Sequence, residues 1–250
     1  MTQRRPLRPG TAVRVRVPAS SANLGPGFDS VGLALGVWDE YVVGLLDPEG
    51  ADPVGRQPGV QITIEGDTQG VPLDERHLVY ASMRRAWERL GVVPPGGVRL
   101  HCAGTIRQGR GMGSSAAAIV AGVGAAYALA GLADGAASGA ENADPDPRGG
   151  GNANHACIPA AGIGESIDLA AVNDLASTLE GHPDNASASV YGGATISWVD
   201  RGAAEGAQVH SVAIPLHPAI EPLVLVPRCS CRPRRRAQSC RRKCRITRPP

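Results

Sequence analysis

The chain has 250 residues, 42% of them hydrophobic, enough to bury a sizeable core as one large or two small domains, which excludes disorder of the whole. Its net charge of +2 is uneven: residues 228–250 hold 10 of the 25 basic residues and no acid, so the first 227 carry 15 basic against 23 acidic residues, a charge of −8. That balance excludes a nucleic-acid binder for the body, and with no apolar run of about eighteen residues and an Arg/Pro-rich start at Met1–Gly10, neither a membrane span nor a secretory signal is expected and the location expected is the cytoplasm.

In chain order, Val13, Val15 and Val17 alternate with Arg14 and Arg16 and then meet Pro18, predicting a half-buried strand that ends at the proline. Residues 31–46 read as two short strands, 47–59 as a Pro/Gly/Asp surface loop and 61–65 as another alternating strand. Arg76 to Leu90 places Leu78, Val79, Met83, Ala86, Trp87 and Leu90 at helical spacing, with Gly91 as a stop. A strand at 98–102 and a loop at 103–113 lead to a helix from Ser114 to about Leu129, built almost wholly of Ala, Val, Ile and Gly and therefore buried on most faces. Residues 133–164 are low in complexity and read as a loop or disordered insert. From Ser166, Leu169, Val172, Leu175 and Leu179 share one helical face up to Gly181, and a His-Pro-Asp-Asn turn follows. Strands are predicted at 194–199, 209–214 and 223–226, and this interleaving indicates an α+β or mixed α/β fold.

The body contains no lysine, since Lys243 in the tail is the only one; phosphate chemistry there must use backbone amides, hydroxyls, Arg or a metal. Three segments carry polar chemistry. The strongest is Gln108-Gly109-Arg110-Gly111-Met112-Gly113-Ser114-Ser115-Ala116-Ala117, a glycine-rich turn feeding a helix: its amides can approach phosphate oxygens, the helix start offers unsatisfied N–H groups, and two serines add hydroxyls. It has neither the Walker A lysine nor the Rossmann spacing, and on its own a glycine-rich helix cap would also account for it. Around Asn23 and Asp29, residues 18–29 could hold a polar substrate or simply end a strand with an Asx turn. Glu180-Gly181-His182-Pro183-Asp184-Asn185 packs acid, imidazole and amide at a helix end, where His182 alone would read as a C-cap.

Together, residues 17–35 (VPASSANLGPGFDSVGLAL), the run GRGMGSSAAA and the run LEGHPDNA resemble the three motif regions of the GHMP small-molecule kinases, and among them the homoserine kinases, over about residues 12–227. The resemblance implies a two-domain α+β GHMP kinase fold with the second domain incomplete: an ATP-binding domain over 1–165 and the start of a C-terminal domain over 166–227. It implies ATP bound by Arg107 and the loop residues Gln108, Gly109, Arg110, Gly111, Met112, Gly113, Ser114, Ser115, Ala116 and Ala117, and phosphorylation of the side-chain hydroxyl of L-homoserine in threonine biosynthesis. Asn23, Asp29 and His182 would bind the substrate, Asn185 would sit by the transferring group, and Ser115 with Glu180 would hold Mg²⁺, with Asp174 as a rival ligand. Asp184 is the one motif carboxylate placed to act as a base, although positioning and charge neutralisation suffice without one. No membrane partner is implied, and a homodimer is compatible with the likeness. Two rival readings are a sister kinase for another small alcohol and an impaired remnant that at most binds nucleotide.

The likeness stops after Pro227, where charge, cysteine use and pattern change together, as in a shifted reading frame; the tail 228–250 is expected to be non-native or without order. Cys229, Cys231, Cys240 and Cys244 match no standard zinc-ribbon spacing, and no aromatic residue stands among the tail arginines to stack on bases. Arg107 stands where the family usually has Pro.

Overall fold

The computed structural model describes residues 5–46, 59–66, 70–93, 96–133, 167–202, 206–217, 219–220 and 222–226. Most of the predicted loop 47–59, nearly all of the predicted insert 133–164, the predicted domain boundary near 165 and the tail 228–250 lie outside them. A short parallel pair joins β1 (Arg5–Pro6) to β5 (Val92–Val93). The principal sheet is mixed and has six strands: β2 (Ala12–Ala22), β3 (Val31–Leu46), β4 (Val60–Glu65), β6 (Gly97–Ala103), β7 (Ala194–Asp200) and β8 (Gln208–Ile214).

The 16-residue β3 is its organising element and corrects the expectation of two short strands. Antiparallel β2 runs along one side of it, from Ala12 opposite Gly44 to Ala22 opposite Gly32. On the other side, its end pairs with β6 from Glu40 opposite Ala103 to Leu46 opposite Gly97, and its beginning pairs with β7 through Val31–Leu33. β4 lies parallel to β6 at one edge and β8 antiparallel to β7 at the other. Pro18 does not end β2, as its missing N–H had suggested. It faces Trp38 at a register shift, after which Ala19 faces Leu35, so Gly36 and Val37 are looped out; bulges are where a sheet tolerates proline. The period-two pattern holds as far as Val17, with Val13, Val15 and Val17 buried and Arg14 and Arg16 on the outer face beside Glu40, at 3.6 and 3.8 Å; Pro18, Ala19 and Ser20 are then all buried.

Four helices complete the described fold: α1 (Leu78–Leu90), α2 (Ser114–Ala133), α3 (Leu169–Glu180) and α4 (Pro183–Tyr191). α1 buries Val79, Met83, Ala86 and Trp87 and stops at left-handed Gly91, as its spacing predicts. α2 packs against β2, α1, α3 and α4. Ser114–Leu132 is long and apolar enough to cross a membrane by length and composition alone, contrary to the expectation that no such run exists; most of it is buried in the molecule, as a core helix. Its small residues permit close approach: a Cβ on Gly122 would fall on the Val79 carbonyl of α1. α3 starts at Asp168, whose carboxylate accepts from the Ala171 N–H at 3.0 Å, a cap contributing about 1 kcal/mol. It ends at left-handed Gly181, again as predicted.

Two corrections concern the C-terminal part. Residues 183–191 form a helix and not an isolated turn: His182 is the extended N-cap, Pro183 occupies the first turn where its missing N–H costs nothing, and Gly192 closes the end. His182 is therefore an N-cap and not a C-cap. Residues 223–226 carry no strand and are exposed, despite their apolar character, because nothing among the described residues pairs with them.

Candidate functional site

The segment from Gly104 to Gly113 connects β6 to α2 and is held at both ends. At its start the buried Asp39 of β3 accepts the Thr105 and Ile106 N–H groups on Oδ1, at 2.6 and 2.8 Å, and the Tyr41 hydroxyl on Oδ2 at 3.2 Å. Burial raises the carboxyl pKa of Asp39 above its ordinary value, against the lowering effect of these three donors. The Thr105 hydroxyl adds a bond to the Trp38 carbonyl at 2.6 Å. Within the loop, Gly109, Gly111 and Gly113 take φ of 63°, 72° and 65°, left-handed values that a side chain adopts only with strain. A Cβ on Gly111 would point into open space, so the backbone alone requires glycine there; a Cβ on Gly113 would fall on Ser20 Oγ. α2 begins at once with Ser114, and Ala116 and Ala117 are its first buried residues, anchoring the helix start in the core.

A cavity of about 320 Å³ opens beside this loop, with Arg107, Gln108, Gly109, Ser114 and Ser115 on one wall and residues 70–72 and 76–79 opposite. Cys102 reaches it too, but burial pushes the thiol up to about 12, so it stays protonated. A hollow of about 590 Å³ on the outer face of the sheet is larger but is lined by no residue of the 104–117 segment and mixes Arg14 and Arg99 with Glu40 and Glu65.

At the mouth of α2 the Ser115 hydroxyl donates to Glu180 Oε2 at 2.9 Å, joining the phosphate-type loop to the end of α3. Burial raises the Glu180 pKa, while the Ser115 bond and nearby His182 oppose the rise. The other acid proposed for a metal is differently employed: Asp174 accepts from Arg89 Nη2 and from the Val209 N–H, both at 2.9 Å, and ties α1, α3 and β8 together. A hydroxyl beside a carboxylate is a set of hard oxygen donors of the kind that takes Mg²⁺. No group of three His, Cys, Asp or Glu converges among the described residues, so a cation at this place would complete its shell with phosphate and water oxygens.

The start of α4 brings the third motif to the same region. Asp184 is wholly buried; its Oδ1 accepts the Asn185 N–H and lies 2.8 Å from His182 Nδ1. Asp184 Oδ2 is buried without a hydrogen-bond partner. A Cβ on Gly32 would fall on the Asp184 carbonyl, so β3 lies directly against this turn. The first motif docks here through Ser20, whose hydroxyl donates to Asn185 Oδ1 at 3.0 Å and whose N–H donates to the Met112 carbonyl at 3.1 Å. Asn23 and Asp29 lie further out, exposed, with φ of 56° and 50°; Asn23 Oδ1 accepts the Asp29 N–H at 2.9 Å and makes the Asx-type turn.

Three segments far apart in sequence thus converge around one helix mouth. Of the loop residues, Arg107, Gln108, Gly109, Ser114 and Ser115 border the cavity, whereas Met112, Ala116 and Ala117 are buried and support it. Asp39, Tyr41, Ser20 and Ser189 escaped the sequence reading. Asp39 sits in an otherwise ordinary strand, and only an acid at an inward-facing position of β3 hints at it.

Residues 77–143 match the family "GHMP kinases N terminal domain". The mixed helix-and-sheet fold matches part of solved kinases of that kind. The chain is 39% identical over 221 residues to homoserine kinase of Corynebacterium urealyticum and 41% identical over 219 residues to homoserine kinase of Streptomyces coelicolor. These matches cover 87% and 86% of this chain and 58% and 55% of the relatives. The crystal structure of homoserine kinase from Cytophaga hutchinsonii superposes with a TM-score of 0.54 at 25% identity, over 85% of this chain and 57% of that one. The chain spans little more than half the length of the curated relatives it matches.

Proposed function

We propose that the chain binds MgATP at the mouth of α2 and transfers the γ-phosphoryl group to the side-chain hydroxyl of L-homoserine, releasing O-phospho-L-homoserine and ADP, in the cytoplasm on the route to threonine. The observation that carries this reading is the Ser115–Glu180 pair at a glycine-rich helix start that borders a cavity of about 320 Å³. It supplies N–H donors, a hydroxyl and a carboxylate in one place without any lysine, and the names of the relatives supply the acceptor.

The roles follow from the side chains. Gln108 to Ser115 would cradle the phosphates with backbone amides, Arg107 would add a positive charge at the cavity wall, and Ser115 and Glu180 would hold Mg²⁺, which when bound neutralises phosphate charge. Nucleoside would occupy the cavity. Asn23 and Asp29 would bind the amino group and hydroxyl region of homoserine, with His182 lining the same pocket. Asn185 would donate to the transferring group. Such an arrangement works by positioning and charge stabilisation, and it requires no strong base. Asp184 is the motif carboxylate that would act as a base if one were used, although its side chain is wholly buried; an Asp184→Asn variant with near-normal turnover would remove it from the chemistry.

The test is ADP release by the purified chain with MgATP and homoserine, beside a mevalonate control and ³¹P detection of the phosphate ester. Turnover with homoserine alone supports the reading, and turnover with mevalonate alone replaces it by a sister kinase. A second reading, nucleotide binding without transfer, is favoured by the exposure of Asn23 and Asp29, which leaves the acceptor side of the site open. Tight nucleotide binding with no ADP release under either acceptor would establish it.

A further inference from the structure

We infer that Ser20 is a positioning residue for Asn185: its buried hydroxyl takes the Oδ1 end of the Asn185 amide and so leaves the Nδ2 donor for a ligand. This rests on the proposed placement of Asn185 beside the transferring phosphoryl group. Ser20 lies near the start of the first motif, outside the residues to which binding or chemistry has been assigned above.

A primary amide has two nearly isosteric orientations that differ in which end donates. Partners alone decide between them. Ser20 is wholly buried, and its hydroxyl donates to Asn185 Oδ1 at 3.0 Å. Behind it stands the buried Ser189 of α4, with its hydroxyl 3.3 Å from both the Pro18 carbonyl and Ser20 Oγ. A donor behind Ser20 Oγ leaves the Ser20 proton free to point forward at Asn185, and successive hydroxyl bonds strengthen one another in a low dielectric. Among the described residues no group accepts from Asn185 Nδ2, and Asn185 is half-buried, so that donor is available to a ligand. The Ser20 N–H also holds the Met112 carbonyl, and its Oγ occupies the space a Cβ on Gly113 would need. One serine therefore touches the phosphate-type loop with its backbone and the transfer-side amide with its side chain.

The two contacts are separable, because Ser20→Ala deletes the hydroxyl and keeps the N–H. In turnover, Ser20→Ala is expected to lower kcat about 10–100-fold, the range associated with small misplacements of a group around the transferring atoms, with KM for ATP changed less than about twofold. If the hydroxyl acts through Asn185, Ser20→Ala costs no more than about threefold further in an Asn185→Ala background, since groups acting as one unit are not additive. A purely structural role would instead raise KM for ATP and give the same loss in both backgrounds.

A readout independent of turnover decides the contact itself. In a ¹H–¹⁵N spectrum the Asn185 Nδ2 pair is identified by its loss in Asn185→Ala. Ser20→Ala should shift or broaden that pair, and Ser189→Ala, a milder change one hydroxyl further back, should move it in the same direction by less. An Asn185 pair unmoved in both folded variants overturns the inference whether or not the chain is active. A shifted pair in a chain without homoserine-dependent turnover upholds the orienting role and sinks the proposed function instead, so the two failures are distinct.

Discussion

Replacing Asp39 by alanine tests whether the phosphate-type loop is held from beneath. The substitution removes the acceptor of two loop N–H groups, at 2.6 and 2.8 Å, and of the Tyr41 hydroxyl at 3.2 Å. Bonds to a charged acceptor contribute about 1.5–3 kcal/mol each, and a buried donor left unpaired costs about 1–3 kcal/mol. Thr105 is exposed, so water can replace its partner, whereas the Ile106 N–H and the Tyr41 hydroxyl belong to buried residues and would be orphaned. Opposing these losses, burial disfavours the charged form of Asp39, as its raised pKa shows. The balance is a destabilisation of about 2–4 kcal/mol, or about 5–15 °C in unfolding midpoint for a domain of this size. Asp39→Asn keeps an Oδ1 acceptor and should cost about 1 kcal/mol. Urea unfolding of both variants, with fluorescent-nucleotide binding alongside, measures the difference. If both stay within about 0.5 kcal/mol of the unaltered protein, or if Asn is as damaging as Ala, Asp39 does not buttress the loop.

The remaining predictions probe the same site. Because the folded state binds the Asp39 proton more tightly than the unfolded chain does, this residue's contribution to stability should decrease as pH rises from the ordinary Asp value through the raised one. Comparing unfolding of the unaltered protein and Asp39→Asn across that window should show the slope only in the former. Gly113→Ala meets both an unfavourable φ and Ser20 Oγ, and should cost about 2–4 kcal/mol with loss of nucleotide binding; Gly111→Ala meets strain alone and should cost about 1–2 kcal/mol, both read by thermal unfolding. Glu180→Gln or Ser115→Ala should raise the Mg²⁺ concentration needed for half-maximal ADP release about tenfold, a loss within the range seen when a metal-site group is altered. Asp174→Ala should leave that Mg²⁺ dependence unchanged while destabilising the fold by about 2–3 kcal/mol, since Arg89 and the Val209 N–H lose their shared partner.

Much of the local structure is legible without coordinates. The Val/Arg alternation of β2, the helical spacing ending at Gly91 and Gly181, and the glycines before Ser114 each state a demand that neighbouring residues satisfy. The errors share a cause. Pro18 was misleading because the bulge that accommodates it is formed by β3, some twenty residues away. The long β3 could not be told from two strands because its continuity depends on β2, β6 and β7 pairing with different parts of it. α4 was within reach, with Pro183 at the first turn and Gly192 at the end, but its short Ala/Ser run has little periodicity.

The chemistry of the site divides in the same way. The amino-acid sequence alone determined which side chains are available, that no lysine serves the body, and that the backbone before α2 must be glycine, because these depend on residue type and local φ. Only the tertiary structure decided which acid faces Ser115 and which faces Arg89, and only it placed Ser20 against Asn185 across 165 positions of chain. Such contacts arise from the packing of α2 and α4 against β2 and of α3 against α2 and α4, and no local pattern encodes a hydrogen bond between segments that meet only when the core has formed.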